Sequence, residues 1–370
     1  MIQKKYVIPL LALLLLTFSV SFAVAQPFRQ LTDANQRIVT IPIKIDQIIC
    51  SGPGCLRLIT YFGAQDLVVA VDAIETRTNQ FDARPYSLAN PQFKKLPVFG
   101  GFRGNDDPEK ILGLKQPPQV IFKTYATMGY DPVELEEKTE IPVIVLEYGD
   151  LYKGQKNFFN TLKIIGQVLD KESRANELIL FFTRHIQDLE NRTKDIVDRK
   201  TCFIGGIAFK GPHGFQSTEP CYPPFRFVNA NNIAFSNDMA GESIRNSNFS
   251  REKILLSDPD ILFLDLSTLQ LGEGHGGLHE LKNDPVYQGL TAVNQKKVYG
   301  VLPYNSYSQN FGSILADAWY IGKILYPEKF MDIDPEKKAD DIYTFLVSKP
   351  VFKPMNSLFK DMVFQSIKLH

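Results

Sequence analysis

A short segment that occurs twice constrains the fold of this chain more than any other feature. The sequence Glu-Lys-Ile-Leu at residues 109–112 recurs 143 residues later, at residues 252–255. A turn containing proline follows each copy, and an apolar run comes next, at residues 120–122 and 261–264. Each copy therefore predicts a short helix opened by an acidic residue and then a buried strand, the helix-to-strand half of an α/β unit. The repetition of this α/β unit predicts two lobes with a cleft between them.

The other predicted strands are continuous apolar runs in which polar and apolar residues do not alternate. Such runs are typical of parallel strands whose sheet is covered on both faces. An edge hairpin is predicted within residues 26–43, and the buried strands are predicted at residues 45–50, 67–71, 120–122, 143–146, 202–209, 261–266 and 298–301. The fold class is therefore α/β, with two Rossmann-like lobes built on parallel sheets.

Long helical periodicity separates the two sets of strands. Apolar residues at helical spacing predict one helix from residue 154 to about 168 and a second from about residue 172 to 198. At 1.5 Å per residue the second helix would be roughly 40 Å long. A helix of that length between two lobes predicts a stiff connector that limits hinge motion.

The first 25 residues have the pattern of a secretory signal. Lys4 and Lys5 precede a nearly continuous apolar run, and small residues at 23–25 surround a predicted cleavage point near Ala25. The alternative, an uncleaved membrane anchor, is disfavoured because the apolar run is shorter than the roughly 20 residues that span a bilayer. No cysteine follows the run, which argues against a lipid anchor. We therefore expect an exported protein of the bacterial periplasm.

Composition excludes some partners and supports a division into two domains. Without the two lysines of the leader, 39 basic residues face 41 acidic ones, so no bulk attraction to nucleic acid or to an anionic membrane is expected. About 345 residues are too many for one ordinary core. We predict an N-terminal lobe at 26–152, linking helices at 153–199, a C-terminal lobe at 200–330 and a C-terminal helical tail at 331–370, and we expect a monomer.

Ligands of open parallel sheets bind beyond the carboxyl ends of the strands, and the polar residues there form the predicted site. Tyrosines are prominent among them, because a tyrosine ring covers a ligand face while its hydroxyl bonds an edge. The alternative is that these tyrosines only complete the rim of the core, and that residues 51–54 form an ordinary strand-to-helix turn. The predicted ligand-binding residues are Ser51, Gly52, Asp72, Tyr125, Tyr148, His213, Glu219, Tyr304 and Tyr307.

Histidines and cysteines supply further candidates. His213, in a glycine-flanked loop, is a candidate metal ligand or chelate contact, and a hydrogen-bonded loop histidine is the alternative. His275 and His279 lie four residues apart in a glycine-rich stretch. An oxidising compartment favours disulfides, and one bridge per lobe is the simplest expectation, with structural zinc and free buried thiols as alternatives. The predicted bridges use Cys50, Cys55, Cys202 and Cys221.

The combined features resemble the periplasmic binding proteins of iron-siderophore, haem and cobalamin ABC importers. Residues 48–58, 108–122 and 250–264 carry the resemblance best, and it extends over about residues 30–330. It implies the class III architecture, in which one long helix joins two α/β lobes. It also implies capture of an iron chelate, haem or corrinoid in the cleft, with no catalytic residue and no cofactor.

By the same resemblance, Glu109 and Glu252 match the acidic residues that dock each lobe against arginines of the permease. The implied partners are an ABC permease and its ATPase at the inner membrane. Helix N-terminal glutamates favoured by the helix dipole would look identical in sequence. The ligand-contacting residues differ between subgroups, so Arg57, Arg84, Arg103 and Arg226 are candidates without a shared motif.

Two other functions are consistent with the same architecture. One is an exported enzyme or chelatase acting on a tetrapyrrole through His213 and Glu219. The other is a receptor that binds free metal directly through histidine and carboxylate ligands. The sequence contains neither Gly-x-Ser-x-Gly nor His-Glu-x-x-His, which disfavours the common hydrolase classes.

Overall fold

The computed structural model describes residues 27–78, 80–236, 239 and 246–369. The predicted signal segment lies outside these ranges. Among the described residues, none of the helices combines the length and the apolar character needed to cross a membrane.

The N-terminal lobe is built on a parallel sheet of five strands, preceded by the predicted hairpin. The sheet order is β5-β4-β3-β6-β7, and all its neighbouring strands run parallel, as predicted. The strands of the lobe are β1 (Phe28–Thr32), β2 (Ile38–Pro42), β3 (Ile48–Ser51), β4 (Val68–Asp72), β5 (Val98–Gly100), β6 (Val120–Thr124) and β7 (Val143–Leu146). Its helices are α1 (Cys55–Tyr61), α2 (Pro85–Ala89), α3 (Pro108–Leu112) and α4 (Pro132–Thr139).

Two helices lead from the first sheet to the second. They are α5 (Gln155–Val168) and α6 (Glu172–Thr193). The second has 22 residues, about 33 Å at 1.5 Å per residue, and ends five residues before the predicted bound. The hydroxyl of Thr193 bonds the carbonyl of Leu189 inside the helix, the local competition by which threonine weakens a helix end.

The C-terminal lobe repeats the architecture with a smaller sheet. The sheet order is β10-β8-β12-β13, again parallel throughout, and β9 and β11 form a separate antiparallel pair. The strands are β8 (Thr201–Gly205), β9 (Ser217–Thr218), β10 (Asn231–Asn232), β11 (Ser247–Asn248), β12 (Ile261–Asp265) and β13 (Val298–Val301). The helices are α7 (Pro223–Phe227), α8 (Arg251–Ser257), α9 (Gly276–Asn283), α10 (Pro285–Gln288), α11 (Thr291–Asn294) and α12 (Phe311–Leu325).

The C-terminal segment, predicted as a helical tail, packs into the core of the protein. Helices α13 (Pro335–Val347) and α14 (Phe352–Leu358) pack on α1 and α2 of the first lobe, and α13 also packs on α12 of the second. The last residues then run beside β13, where Ile367 donates its N–H to Val298 and is itself buried. The chain therefore joins the two lobes a second time.

Both copies of the duplicated segment fold as predicted. In α3 the carboxylate of Asp107 accepts from the N–H of Lys110, and in α8 the hydroxyl of Ser250 accepts from the N–H of Lys253. Each side chain is an N-cap, which satisfies one of the unpaired N–H groups of the first turn. The helices lead into β6 and β12, so the internal repeat in sequence is also a structural repeat.

The predicted disulfides are absent. Cys50, Cys55 and Cys202 are buried free thiols, and Cys221 is buried with its Sγ 3.8 Å from the carbonyl oxygen of Met239. Cys55 instead donates to the carbonyl of Phe122, and Cys202 to that of Asn231. Burial raises the pKa of the Cys50 and Cys202 thiols, so neither readily forms the thiolate that disulfide exchange requires.

Candidate functional site

A cavity of about 370 Å³ lies between the lobes, at the carboxyl ends of both sheets. The first lobe contributes the segments that follow β3, β4, β5 and β6, and the second contributes those that follow β8 and β13. The lining residues are Pro53, Ile74, Phe102, Arg103, Tyr125, Met128, Phe209, Lys210, Gly211, Tyr304, Asn305, Tyr307, Ser308 and Gln309. Strand ends converge here because the loops of parallel sheets meet at this edge.

Two turns with the same sequence pattern line the cavity from opposite lobes. The first is Phe-Arg-Gly at residues 102–104, and the second is Phe-Lys-Gly at residues 209–211. In each turn the cation lies 5.4 Å from the ring centroid of its own phenylalanine. Arg103 and Lys210 also share a left-handed backbone, with φ of 62° and 56°. We call these segments the twin turns; they place one exposed cation from each lobe at the cavity.

The electrostatic character of the cavity follows from the twin turns. Both cations are exposed, and none of the described lining residues is acidic. Arg77 adds a third positive charge, because its guanidinium lies 5.4 Å from the ring of Phe102. The described residues that line the cavity therefore carry two positive charges and no negative charge.

The predicted acids Asp72 and Glu219 do not line the cavity. Asp72 accepts a hydrogen bond from the hydroxyl of Tyr307, and Glu219 accepts one from the hydroxyl of Tyr304. Each acid is buried in its own lobe behind a tyrosine of the segment that follows β13. Burial raises the pKa of Asp72 to about 7, and the charge of nearby Glu75 adds to the effect. The two acids therefore orient the tyrosines, which do line the cavity.

The segment after β13 belongs to the second lobe but is bound by the first. The buried guanidinium of Arg57 on α1 donates to the carbonyls of Gln309 and Ser306, both at 2.8 Å. Tyr148, also buried, donates to the carbonyl of Gln309 at 2.7 Å and stacks on Phe311 of α12. Tyr148 thus contributes to this contact between the lobes, and it lines a different pocket from the cavity between the twin turns. We call residues 303–310 the bridging loop.

Hydrogen bonds close to the cavity join the same segments. The hydroxyl of Tyr125 lies 2.7 Å from that of Ser308, and the N–H of Arg103 donates to the hydroxyl of Tyr307 at 3.0 Å. Three of the predicted ligand-binding residues, Tyr125, Tyr304 and Tyr307, line the cavity. The lobes therefore meet through hydrogen bonds between residues that line the cavity.

Left-handed backbone is concentrated around the cavity. Five of its fourteen lining residues are non-glycine residues with positive φ. They are Arg103, Tyr125, Lys210, Tyr307 and Ser308. Such conformations cost free energy and tend to persist where the surrounding structure holds a functional site in place.

Ser51 and Gly52 act in the packing of the strand-to-helix turn. Ser51 is buried and its hydroxyl donates to Asp106. Gly52 has φ of 87°, and a Cβ there would lie 2.5 Å from the carbonyl oxygen of Thr124. Of this turn, only Pro53 lines the cavity.

His213 also lies outside the cavity. Its exposed ring has Nε2 2.7 Å from the carbonyl oxygen of Phe209, the hydrogen-bonded loop histidine named as the alternative. His275 and His279 line a separate groove near Lys282. In the ranges that the structure describes, no three His, Cys, Asp or Glu side chains gather as they would to hold a metal ion.

Only one of the four candidate arginines lines the cavity. Arg57 binds the bridging loop, Arg84 is buried in ion pairs with Asp82 and Glu75, and Arg226 donates to the hydroxyl of Tyr152. The sequence analysis named Arg103 as one of four candidate arginines without distinguishing it from the other three, and Lys210 was not among the predicted ligand-binding residues. A search for a repeated aromatic, cation and glycine triplet would have found both.

Comparisons with known proteins agree with the fold. The family model described as "Periplasmic binding protein" matches residues 48–304. The molybdate-binding protein MolA of Haemophilus influenzae is 23% identical over 364 residues, which cover 92% of this chain and 96% of MolA.

Solved structures support the same assignment. The structure of MolA bound to molybdate has a TM-score of 0.64 and 19% identity, covering 87% of this chain and 98% of its own. A periplasmic solute-binding protein of Veillonella parvula has a TM-score of 0.68 and 16% identity, covering 91% and 98%. The haem-binding protein HutB of Vibrio cholerae has a TM-score of 0.55 and 20% identity, covering 76% and 99%.

The family match and the fold establish the architecture and the class of this protein. The α/β architecture with two parallel sheets joined by a long helix is confirmed as the class III type of binding protein. Members of this family are periplasmic substrate-binding proteins of ABC transporters and not enzymes. Because the match covers 257 residues, from 48 to 304, the chain belongs to the periplasmic binding protein family.

Proposed function

We propose that this protein captures a compact anionic ligand between the twin turns and delivers it to an ABC permease. The observation that carries the proposal is the pair of cations, Arg103 and Lys210, that reach one cavity from two lobes in matching backbone conformations. Opposed cations in a recess that contains no described acid recognise negative charge. The molybdate-binding relative makes a metal oxyanion the first ligand class to test.

An anionic iron chelate is the second candidate, because the sequence analysis predicted capture of an iron chelate, haem or corrinoid. The rings of Phe102, Phe209 and the three cavity tyrosines offer apolar faces suited to a chelate with aromatic groups. A cavity of about 370 Å³ is near the lower end of the roughly 300–1,000 Å³ of small-molecule sites. A small chelate therefore fits better than haem or a corrinoid.

Calorimetric titration of the purified protein tests the ligand class. Molybdate, tungstate, a ferric catecholate complex and haem would be compared, with sulfate as a control for bulk charge. We expect one of the anions to bind, and Arg103→Gln and Lys210→Gln each to weaken it about tenfold or more, because each removes a charged hydrogen bond. Lys282→Gln, in the separate groove, is the matched control. Unchanged affinity in both cavity variants would refute the proposal.

The docking roles of Glu109 and Glu252 form the second half of the proposed function. Both side chains are exposed, and neighbouring cations are bound by other acids, Lys110 by Asp107 and Arg251 by Asp284. One carboxylate per lobe, held at a fixed separation, would set the orientation and rate of an encounter with a basic permease surface.

Exposed leucines accompany each glutamate. Leu112 is 56% exposed one turn after Glu109, and Leu256 is 86% exposed one turn after Glu252. Charged residues beside exposed apolar side chains are typical of protein-binding surfaces. The exposed leucines support docking at the same two helices.

Import measurements with paired substitutions test docking. We expect Glu109→Gln combined with Glu252→Gln to abolish ligand import into cells while leaving ligand affinity unchanged, because both residues lie outside the cavity. Glu134→Gln with Glu328→Gln, which are acidic residues near other helix starts, is the control. Lost ligand affinity in the docking variant, or normal import, would contradict this role.

A further inference from the structure

A buried ion pair contacts the turn that carries Arg103 on the side of the sheet. Lys123 on β6 is fully buried, and its Nζ lies 2.6 Å from a carboxylate oxygen of Asp106 and 3.1 Å from the carbonyl oxygen of Gly104. Ser51, the register partner of Lys123 on β3, donates its hydroxyl to Asp106 at 2.7 Å. The three side chains thus connect two central strands to the turn.

This turn needs such support because its backbone is unusual. Arg103 and Gly104 adopt positive φ in succession, 62° and 72°. The carbonyl of Gly104, which receives the Lys123 bond, also accepts from the N–H of Tyr130 at 2.7 Å. A Cβ at Gly104 would lie 2.7 Å from the carbonyl oxygen of Met128, so the turn is closely packed from two sides. Without these contacts the turn would relax toward commoner conformations.

Burial of two opposite charges is a poor device for stability alone, because desolvation offsets much of the attraction between them. The pair instead fixes the geometry of the groups that it joins. Neither Lys123 nor Asp106 lines the cavity, whereas Arg103, the neighbour of the Gly104 whose carbonyl Lys123 contacts, does. The matching turn in the other lobe has a different support: the N–H of Phe209 donates to the carbonyl of Gly211 at 2.9 Å.

We propose that Lys123, Asp106 and Ser51 are positioning residues that set the conformation of the Arg103 turn for ligand binding. The proposal rests on the proposed function, because it takes Arg103 as a ligand contact. On this proposal, the contribution of the Arg103 turn to ligand affinity depends on the buried network of Lys123, Asp106 and Ser51.

Hydrogen exchange measured by mass spectrometry tests the structural half. The variant Lys123→Met with Asp106→Asn removes both charges together, so that no unpaired buried charge remains. We expect amides of residues 101–105 to exchange faster in the variant, with peptides of α6 and of the Lys210 turn unchanged. Unchanged exchange in the Arg103 turn would overturn the proposal. So would faster exchange throughout the protein, which is the mark of a merely structural role.

Molybdate affinity in two backgrounds tests the functional half. We expect the Lys123→Met, Asp106→Asn variant to bind molybdate about tenfold more weakly, at the low end of what loss of a supporting contact costs in metal sites. In an Arg103→Gln background the same change should have little further effect, because its influence passes through Arg103. An equal loss in both backgrounds would overturn the proposal. If the native protein did not bind molybdate, the oxyanion assignment alone would fail, and the exchange pattern would still decide the positioning role.

Discussion

Tyr307 of the bridging loop lines the cavity and contacts two residues of the first lobe, Asp72 and Arg103. Its hydroxyl donates to Asp72 and accepts from the N–H of Arg103. Burial raises the pKa of Asp72 from 3.8 to about 7, while the Tyr307 hydrogen bond opposes that shift. The folded protein therefore binds more protons than the unfolded chain between these values, and the contribution of Asp72 to stability falls as the pH rises through 7.

Substitution of Tyr307 should be more costly in alkaline solution. We expect Tyr307→Phe to lower the free energy of unfolding by about 1–3 kcal/mol at pH 8 and by less at pH 5, because the lost hydrogen bond stabilises the ionised carboxylate of Asp72. Urea denaturation at the two pH values measures the difference. Tyr287→Phe is the matched control, since the buried hydroxyl of Tyr287 has no hydrogen-bond partner in the described structure. An equal penalty at both pH values would contradict the assignment.

The site could be predicted from single residues only in part. Strand ends correctly indicated the segments that meet, and three of the four tyrosines line the cavity. Asp72 and Glu219, which the sequence analysis proposed as ligand contacts, are buried and accept hydrogen bonds from tyrosines that lie more than 80 residues away along the chain. Sequence spacing does not indicate which polar side chain faces a ligand and which one supports it.

At the scale of elements, a partly buried hydrogen bond connects the long helix α6 to α12. The indole N–H of Trp319 donates to Nδ1 of His185 at 2.9 Å. That bond needs a neutral imidazole. Burial and the charge of Lys338 lower the pKa of His185 to about 4.

Acid should weaken this contact. Because the pKa of His185 is about 4 in the folded state and near 6.5 in the unfolded chain, its contribution is complete above pH 6.5 and is lost as the pH falls toward 4. We expect a loss of roughly 2–3 kcal/mol over this range, and His185→Gln should flatten it. Trp319 is the only tryptophan, so its fluorescence follows both the contact and unfolding. Parallel pH profiles for the native protein and the variant would contradict this account.

Predictions of elements succeeded where the apolar runs were long and failed where they were short. The strands β3, β4, β6, β7, β12 and β13 were each located to within a few residues. Strands β5 and β10 were missed because two or three residues are too few to show a period. Helix α6 was extended too far because apolar residues continue past its end, and Val197 is in fact 92% exposed.

At the scale of the whole molecule, the residues that the structure describes include three connections between the lobes. They are α6, the C-terminal helices α13 and α14, and the bridging loop bound by Arg57. The sequence predicted the first of them. The others could not be inferred, because the bridging loop is attached across about 250 residues and the C-terminal helices carry no motif that indicates their neighbours.

Small-angle scattering tests the stiffness that these connections imply. We expect the radius of gyration to change by less than about 1 Å on molybdate binding, because a pre-formed site needs little backbone motion. Arg57→Ala should increase the radius of gyration of the unliganded protein, since it removes the bonds to Ser306 and Gln309. Lys349→Ala removes one hydrogen bond between the C-terminal segment and α2, and we expect it to increase the radius of gyration by less. A contraction of several ångströms on binding would show that the lobes hinge freely.

The attachment of the bridging loop to the first lobe has a consequence for how vacant and filled copies compete for the permease. If vacant and filled copies have nearly the same outline, and if the permease binds Glu109 and Glu252 as we propose, it would bind vacant and filled copies equally well. Vacant copies would then act as competitive inhibitors of filled ones. Uptake would slow when the protein is overproduced relative to its solute, and the cell would gain by matching the supply of the receptor to the abundance of what it carries.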